Sequence, residues 1–242
     1  MNLIVDVGNT NTKVAVFDQD QLMWSQIVKP NTLLDQLHKL QNQFPIADAL
    51  LASVGKENKD WFSFLDEQYA TIRLDHTTKL PFENQYQTPQ TLGVDRIGLV
   101  AAFAKAYPQK NGLIIDAGTC ITYDFINAEG QYQGGAITPG LQLRYKALNQ
   151  HTARLPLLNP RLIPSLIGNS TENSIHAGVS GGILREIEGT VLAYKEQFPD
   201  LITVLTGGDA ALLSEQLKNG IFAHSNFLLQ GLNYILEFNK NE

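Results

Sequence analysis

Two short apolar runs, each ended by an acid and a glycine, set the pattern of this chain. Leu3-Ile4-Val5-Asp6-Val7-Gly8-Asn9-Thr10 opens it, and Leu113-Ile114-Ile115-Asp116-Ala117-Gly118-Thr119-Cys120 returns at an offset of 110 residues. Each run continues into a second apolar stretch, Lys13 to Phe17 and Ile121 to Ile126. The pattern predicts two strand-turn-strand hairpins, with Gly8 and Gly118 allowing close approach of backbone to a ligand. Helical spacing relates Leu33, Leu34, Leu37, Leu40 and Phe44, and again Ile97, Val100, Ala101, Ala104 and Tyr107. A third stripe joins Val179, Ile183, Ile187, Val191 and Tyr194. These stripes read as core faces of helices. A short strand, Leu201 to Leu205, runs into Thr206-Gly207-Gly208-Asp209-Ala210 and a helical segment. Strands alternating with helices predict α/β architecture. The polar stretch Pro108 to Gly112 separates the hairpin-led halves, so domains over 1–109 and 110–242 are expected.

Composition narrows the function classes. The 242 residues suffice for two cores, and a content of 43% hydrophobic and 17% charged residues suits a folded globule. A net charge of -6 without a lysine- or arginine-rich run disfavours nucleic acid as the main partner, because phosphate binding needs a basic face. The N-terminal residues lack the pattern of a secretory signal, and no long uncharged apolar run suggests a membrane span. Cys120 is the sole cysteine, which excludes an internal disulfide. The expectation is a cytoplasmic protein.

The turns carry the candidate chemistry. Asp6-Val7-Gly8-Asn9-Thr10-Asn11-Thr12-Lys13 gathers an acid, turn formers, hydroxyls and a lysine after a strand. Backbone N–H groups of such a turn cradle phosphate oxygens, hydroxyls and lysine add donors, and the acid suits Mg²⁺. An ordinary hairpin turn is the competing reading. Asp116-Ala117-Gly118-Thr119 repeats the logic, so two acidic hairpins converging on one cleft would grip a polyphosphate from both sides. Gly207 and Gly208 offer a flat backbone surface for an adenine ring, or else a tight turn capped by Asp209. In Thr91-Leu92-Gly93-Val94-Asp95-Arg96, Asp95 is either a general base beside Arg96 or a helix cap, and local sequence favours the cap. His38, His76, His151, His176 and His224 lack the spacing of metal ligands.

Taken together, these runs resemble the type III pantothenate kinases, of the superfamily that includes acetate and sugar kinases, actin and heat-shock ATPase domains. The resemblance covers nearly the whole chain in order: Asp6 to Lys13, Thr91 to Arg96, Asp116 to Thr122 with Asp124, Gly134 to Gly140, Thr152 to Pro156, Gly168 to Thr171, and Thr206 to Ala210. It implies two ribonuclease-H-like domains with a nucleotide cleft between them, and transfer of the ATP γ-phosphoryl group to pantothenate, the first step of coenzyme A synthesis. By the same resemblance Asp95 is the catalytic base, which reverses the local reading. Tyr86, Gly93, Val94, Asp95 and Arg96 would contact pantothenate. Asp6, Gly8, Asn9, Thr10, Asn11, Thr12, Lys13, Thr119, Gly207 and Gly208 would bind ATP, with Mg²⁺ at Asp6. The resemblance also implies that Asp116 would hold K⁺ or NH₄⁺ and that Thr171 would reach pantothenate in the neighbouring subunit of a homodimer. Cys120 and Ile121 depart from the Ala-Thr of many relatives, which bears on nucleotide packing. A regulatory nucleotide-binding protein of the same fold is the alternative, and the intact Gly93 to Arg96 run favours the enzyme.

Overall fold

A computed structural model describes residues 1–8, 11–54, 59–162, 165–217 and 221–240, the side chains of 221–223 excepted. The chain forms two compact units. The first comprises Met1–Pro108, Gly130–Gln133 and Asn226–Glu242, and the second Gln109–Glu129 and Gly134–Ser225.

In the first unit β1 (Asn2–Val7) turns back into β2 (Thr12–Asp18) and β3 (Gln21–Val28). Then follow α1 (Leu33–Gln43), β4 (Asp48–Ser53), α2 (Lys59–Gln68), β5 (Ala70–Arg73), β6 (Glu83–Asn84) and α3 (Val94–Ala106). The sheet order is β3-β2-β1-β4-β5, with β1 antiparallel to β2 and parallel to β4. Every residue of β1 is buried, because helices cover both faces of the sheet. Leu3, Val5, Val14 and Val16 pack with Leu33, Leu37 and Leu40 of α1 and with Trp61, Phe64 and Leu65 of α2. On the other face lie α3 and the C-terminal helix, which contact β4 and, for the latter, β1 as well.

The second unit repeats the plan. It contains β7 (Gly112–Ala117), β8 (Cys120–Ile126), β9 (Gln131–Pro139), α4 (Leu141–Gln150), α5 (Thr171–Gln197), β10 (Ile202–Thr206), α6 (Ala210–Ser214) and β11 (Ile221–Ala223). The first two residues of β9 pair with β6, and its first three group with the first unit. The order β11-β10-β7-β8-β9 is that of the first sheet run over the second hairpin, as expected of two ribonuclease-H-like halves. Leu113, Ile115, Tyr123 and Phe125 meet Ile175, Val179, Ile183, Ile187 and Val191, the apolar stripe of the 27-residue α5. That helix starts at Thr171, eight residues before Val179, where the predicted stripe begins, and Ser170 caps it by accepting from the N–H of Asn173 at 3.2 Å.

The last helix, α7 (Phe227–Lys240), returns to the first unit. It crosses α3 where two glycines meet. A β-carbon on Gly98 would stand 2.7 Å from Leu228 Cδ1, and one on Gly231 would stand 2.8 Å from the Ala102 nitrogen. The compact units therefore do not follow one cut in the sequence.

Candidate active site

The first hairpin pairs Asp6 with Lys13 and Val7 with Thr12, so the acid and the lysine share one face of the strand pair. The N–H of Gly8 donates to the Asn11 carbonyl at 3.0 Å and closes the turn. Asp6 is buried, Lys13 half-buried and Asn11 exposed. Thr12 is wholly buried, and its hydroxyl has no hydrogen-bond partner among the described residues. Asn9 and Thr10, expected at the phosphates, lie outside the described residues.

Further along the first unit, a 3₁₀ turn at Pro89–Thr91 leads through extended Leu92 to α3. Gly93 occupies the cap position, and Asp95 is the second residue of the helix. The cap reading of Asp95 is thus corrected: its carboxylate accepts from the adjacent Arg96 N–H at 2.8 Å, inside the first turn. A β-carbon on Gly93 would overlap that carboxylate. Arg96 is buried, with its guanidinium 5.6 Å from the centre of the Tyr86 ring. Tyr86 in turn stacks on Tyr132, with centroids 6.0 Å apart and planes 16° from parallel. Its N–H is tied to Asn84 Oδ1 at 3.0 Å.

In the second unit the hairpin is tighter. Asp116 pairs with Thr122, and the Gly118 N–H donates to the Cys120 carbonyl at 2.9 Å. Two other turns press on it. The Gly140 N–H donates to the Thr119 carbonyl at 3.0 Å, and a β-carbon at residue 140 would stand 2.6 Å from that oxygen. Gly207 has φ +99°, a left-handed conformation that glycine adopts without strain, and a β-carbon there would overlap both the Ala117 carbonyl and the Asp116 carboxylate. Gly208 borders open space. Asp209 does stand at the cap position of α6, but its side chain makes no capping bond. Its N–H donates to the Ala117 carbonyl at 2.9 Å, and burial raises its carboxyl pKa above the ordinary value. Cys120 is exposed.

Thr171 opens α5 on the rim of a cavity of about 870 Å³. Its wall is mostly apolar, including Leu148, Leu155, Ile175 and Val179, and Arg144 also lines it.

These turns, in this order and on this repeated sheet, match one family. A model of the type III pantothenate kinases matches residues 2–193. The chain belongs to that family. A type III pantothenate kinase of Christiangramia forsetii is 50% identical over all of both chains. One of Flavobacterium johnsoniae is 45% identical over 98% of each. Among solved structures, a glucokinase from an Antarctic psychrotroph aligns over 98% of this chain and 99% of its own, with a TM-score of 0.52 and 14% identity, and shows the shared fold alone.

In this pantothenate kinase family member the expected site residues divide between the units. Asp6, Gly8, Asn11, Thr12, Lys13, Tyr86 and Gly93–Arg96 belong to the first, and Asp116, Thr119, Thr171, Gly207 and Gly208 to the second. Within the first, Tyr86 comes against Arg96 and Gly93 against Asp95. Within the second, Gly207 comes against Asp116, and Gly140 against Thr119. Sequence reading passed over Arg144 and Glu186, which are joined at 2.6 Å. It also passed over Tyr145, whose hydroxyl lies 2.7 Å from His176 Nδ1 and 2.8 Å from Ser180 Oγ. No local signal marks either group, because their members stand on different helices, more than 30 residues apart in the chain.

Proposed function

We propose that the protein transfers the γ-phosphoryl group of ATP to the primary hydroxyl of pantothenate, giving 4′-phosphopantothenate at the first step of coenzyme A synthesis. What carries this reading is the intact Gly93–Arg96 turn in a chain of this family, with the Asp95 carboxylate oriented by the Arg96 N–H.

Asp95 takes the proton of the pantothenate hydroxyl as its oxygen attacks the γ-phosphorus, and ADP leaves with the bridging oxygen. Arg96, buried against Tyr86, fixes the acceptor, and Gly93 and Val94 contact it through the same turn. ATP is held from both halves of the sequence, residues 1–109 and 110–242. Asp6, Gly8, Asn9, Thr10, Asn11, Thr12 and Lys13 serve from the first, and Thr119, Gly207 and Gly208 from the second.

The donors suit hard cations, because oxygen ligands prevail at both hairpins. Among the described residues no cluster of three or more His, Cys, Asp or Glu could hold a metal. Mg²⁺ at Asp6 would therefore share its coordination with ATP phosphates, and the chemistry it supplies when bound is neutralisation of their charge. Asp116, with the Ala117 carbonyl and Gly207 packed beside it, would hold K⁺ or NH₄⁺. The working form is a cytoplasmic homodimer in which Thr171 contacts pantothenate of the neighbouring subunit. No described helix is long and apolar enough to cross a membrane.

A coupled ADP-release assay with MgATP and KCl tests this, using pantothenate with acetate and glucose as controls. Release with pantothenate alone is expected. Release with none of the three, in a protein that still binds ATP, would favour a regulatory role instead.

A further inference from the structure

Glu186 lies in the middle of α5, and its carboxylate collects groups from three other elements. Oε1 accepts from the Tyr123 hydroxyl of β8 at 3.0 Å and from the Thr138 hydroxyl of β9 at 2.8 Å. Oε2 accepts from the Arg144 guanidinium of α4 at 2.6 Å. The guanidinium reaches onward, its Nε donating to the Pro139 carbonyl at 2.7 Å. The next residue is Gly140, whose N–H holds the Thr119 carbonyl and whose α-carbon is pressed against the Gly118 and Thr119 carbonyls. Glu186 thus grips the second hairpin twice, through Tyr123 on its outgoing strand and through Arg144, Pro139 and Gly140 at its turn.

Holding α5 in place does not require this cluster. Ile183 and Ile187, on either side of Glu186, are fully buried in the core of the unit. A partly buried ion pair is weak evidence for stability, because desolvation offsets much of its attraction. What four oriented hydrogen bonds add is geometry. Burial opposes the charged form of Glu186, yet the bonds from Arg144, Thr138 and Tyr123 and the charge of Arg144 hold its carboxyl below the ordinary value. The tie is accordingly complete at neutral pH.

We propose that Glu186 is a positioning residue for the nucleotide, setting the Asp116–Thr119 turn through Arg144 and Gly140. This rests on the reading of that turn as an ATP site, and it assigns to α5 and α4 a part in nucleotide affinity that their distance in sequence conceals.

The test compares wild type, Glu186→Ala, Glu186→Gln and Thr138→Val. MgATP binding is measured by calorimetry without pantothenate, followed by KM for each substrate and thermal unfolding. Glu186→Ala is expected to weaken MgATP binding and raise its KM about five- to tenfold, the scale of a coupling through packed neighbours. The pantothenate KM should stay within about twofold. Glu186→Gln keeps an acceptor for Tyr123 and Thr138 but sets an amide NH2 against the Arg144 guanidinium, so it should show most of the same loss, and Thr138→Val, which leaves the Arg144 bond in place, a smaller one. MgATP affinity unchanged in all variants would overturn the proposal. So would a loss equal for both substrates that tracks the fall in melting temperature. If Glu186→Ala does not fold, the glutamine and valine variants carry the same comparison. A wild type that binds MgATP but leaves pantothenate unphosphorylated would sink the proposed reaction while leaving this comparison readable.

Discussion

The Asp95 carboxylate occupies the space that a side chain at Gly93 would need. Gly93 has φ −61°, so backbone conformation does not demand glycine here; the neighbouring carboxylate does. Gly93→Ala is expected to turn that carboxylate out of place. Turnover should fall at least about tenfold while MgATP affinity holds, a split that separate KM and kcat measurements would show. Asp95→Asn keeps the shape and removes the base, and turnover should fall about a hundredfold or more. Near-normal turnover in Asp95→Asn would remove the base from Asp95.

At the α3–α7 crossing, Gly231 faces backbone, so a methyl group there cannot be relieved by a rotamer change. Gly231→Ala should destabilise the protein by about 1–3 kcal/mol, as overpacking does. A denaturant titration reads this directly, and an unchanged midpoint would contradict the close crossing.

Hydroxyl bookkeeping decides the tautomer of His176. Ser180 Oγ gives its proton to the Arg161 carbonyl at 2.8 Å, so the Tyr145 hydroxyl must donate to Ser180 and accept from His176 Nδ1–H. Burial, then the charge of Arg161, lowers the His176 pKa below its ordinary 6.5, while Glu172 acts the other way. With the folded value depressed, the unfolded chain binds the proton more readily. Stability is full above about pH 6.5 and is lost as pH falls through the folded value. His176→Asn keeps a donor near Nδ1 and should flatten this part of the pH dependence, below the ordinary 6.5. An equal slope in both proteins would place the titration elsewhere.

Replacing K⁺ by Na⁺ or a bulky organic cation should lower activity, and Asp116→Asn should abolish the difference between salts. Equal rates of the wild type in all three would remove the cation from Asp116.

Subunits carrying Asp95→Asn mixed with subunits carrying Thr171→Ala should regain activity at one site per mixed dimer, if Thr171 serves the neighbour. Activity equal to the average of the two parents would confine Thr171 to its own subunit.

By itself the sequence determined the repeated hairpins and the helices whose apolar stripes are regular. β1 with β2 and β7 with β8 stand where the two runs predicted them, and α1 and α3 follow their stripes closely. It also determined the family, because the spaced turns are read from local residue order. Periodicity reports that a face is buried but not against what. Only tertiary structure decided that α7 joins the first unit through Gly98 and Gly231, which are 133 positions apart in the chain. It alone made Gly93 the cap of α3 in place of Asp95, and brought Glu186 to Arg144, Thr138 and Tyr123. The reason is physical: a polar side chain inside a fold is defined by partners that other elements deliver, and the residues beside it in sequence carry no trace of them.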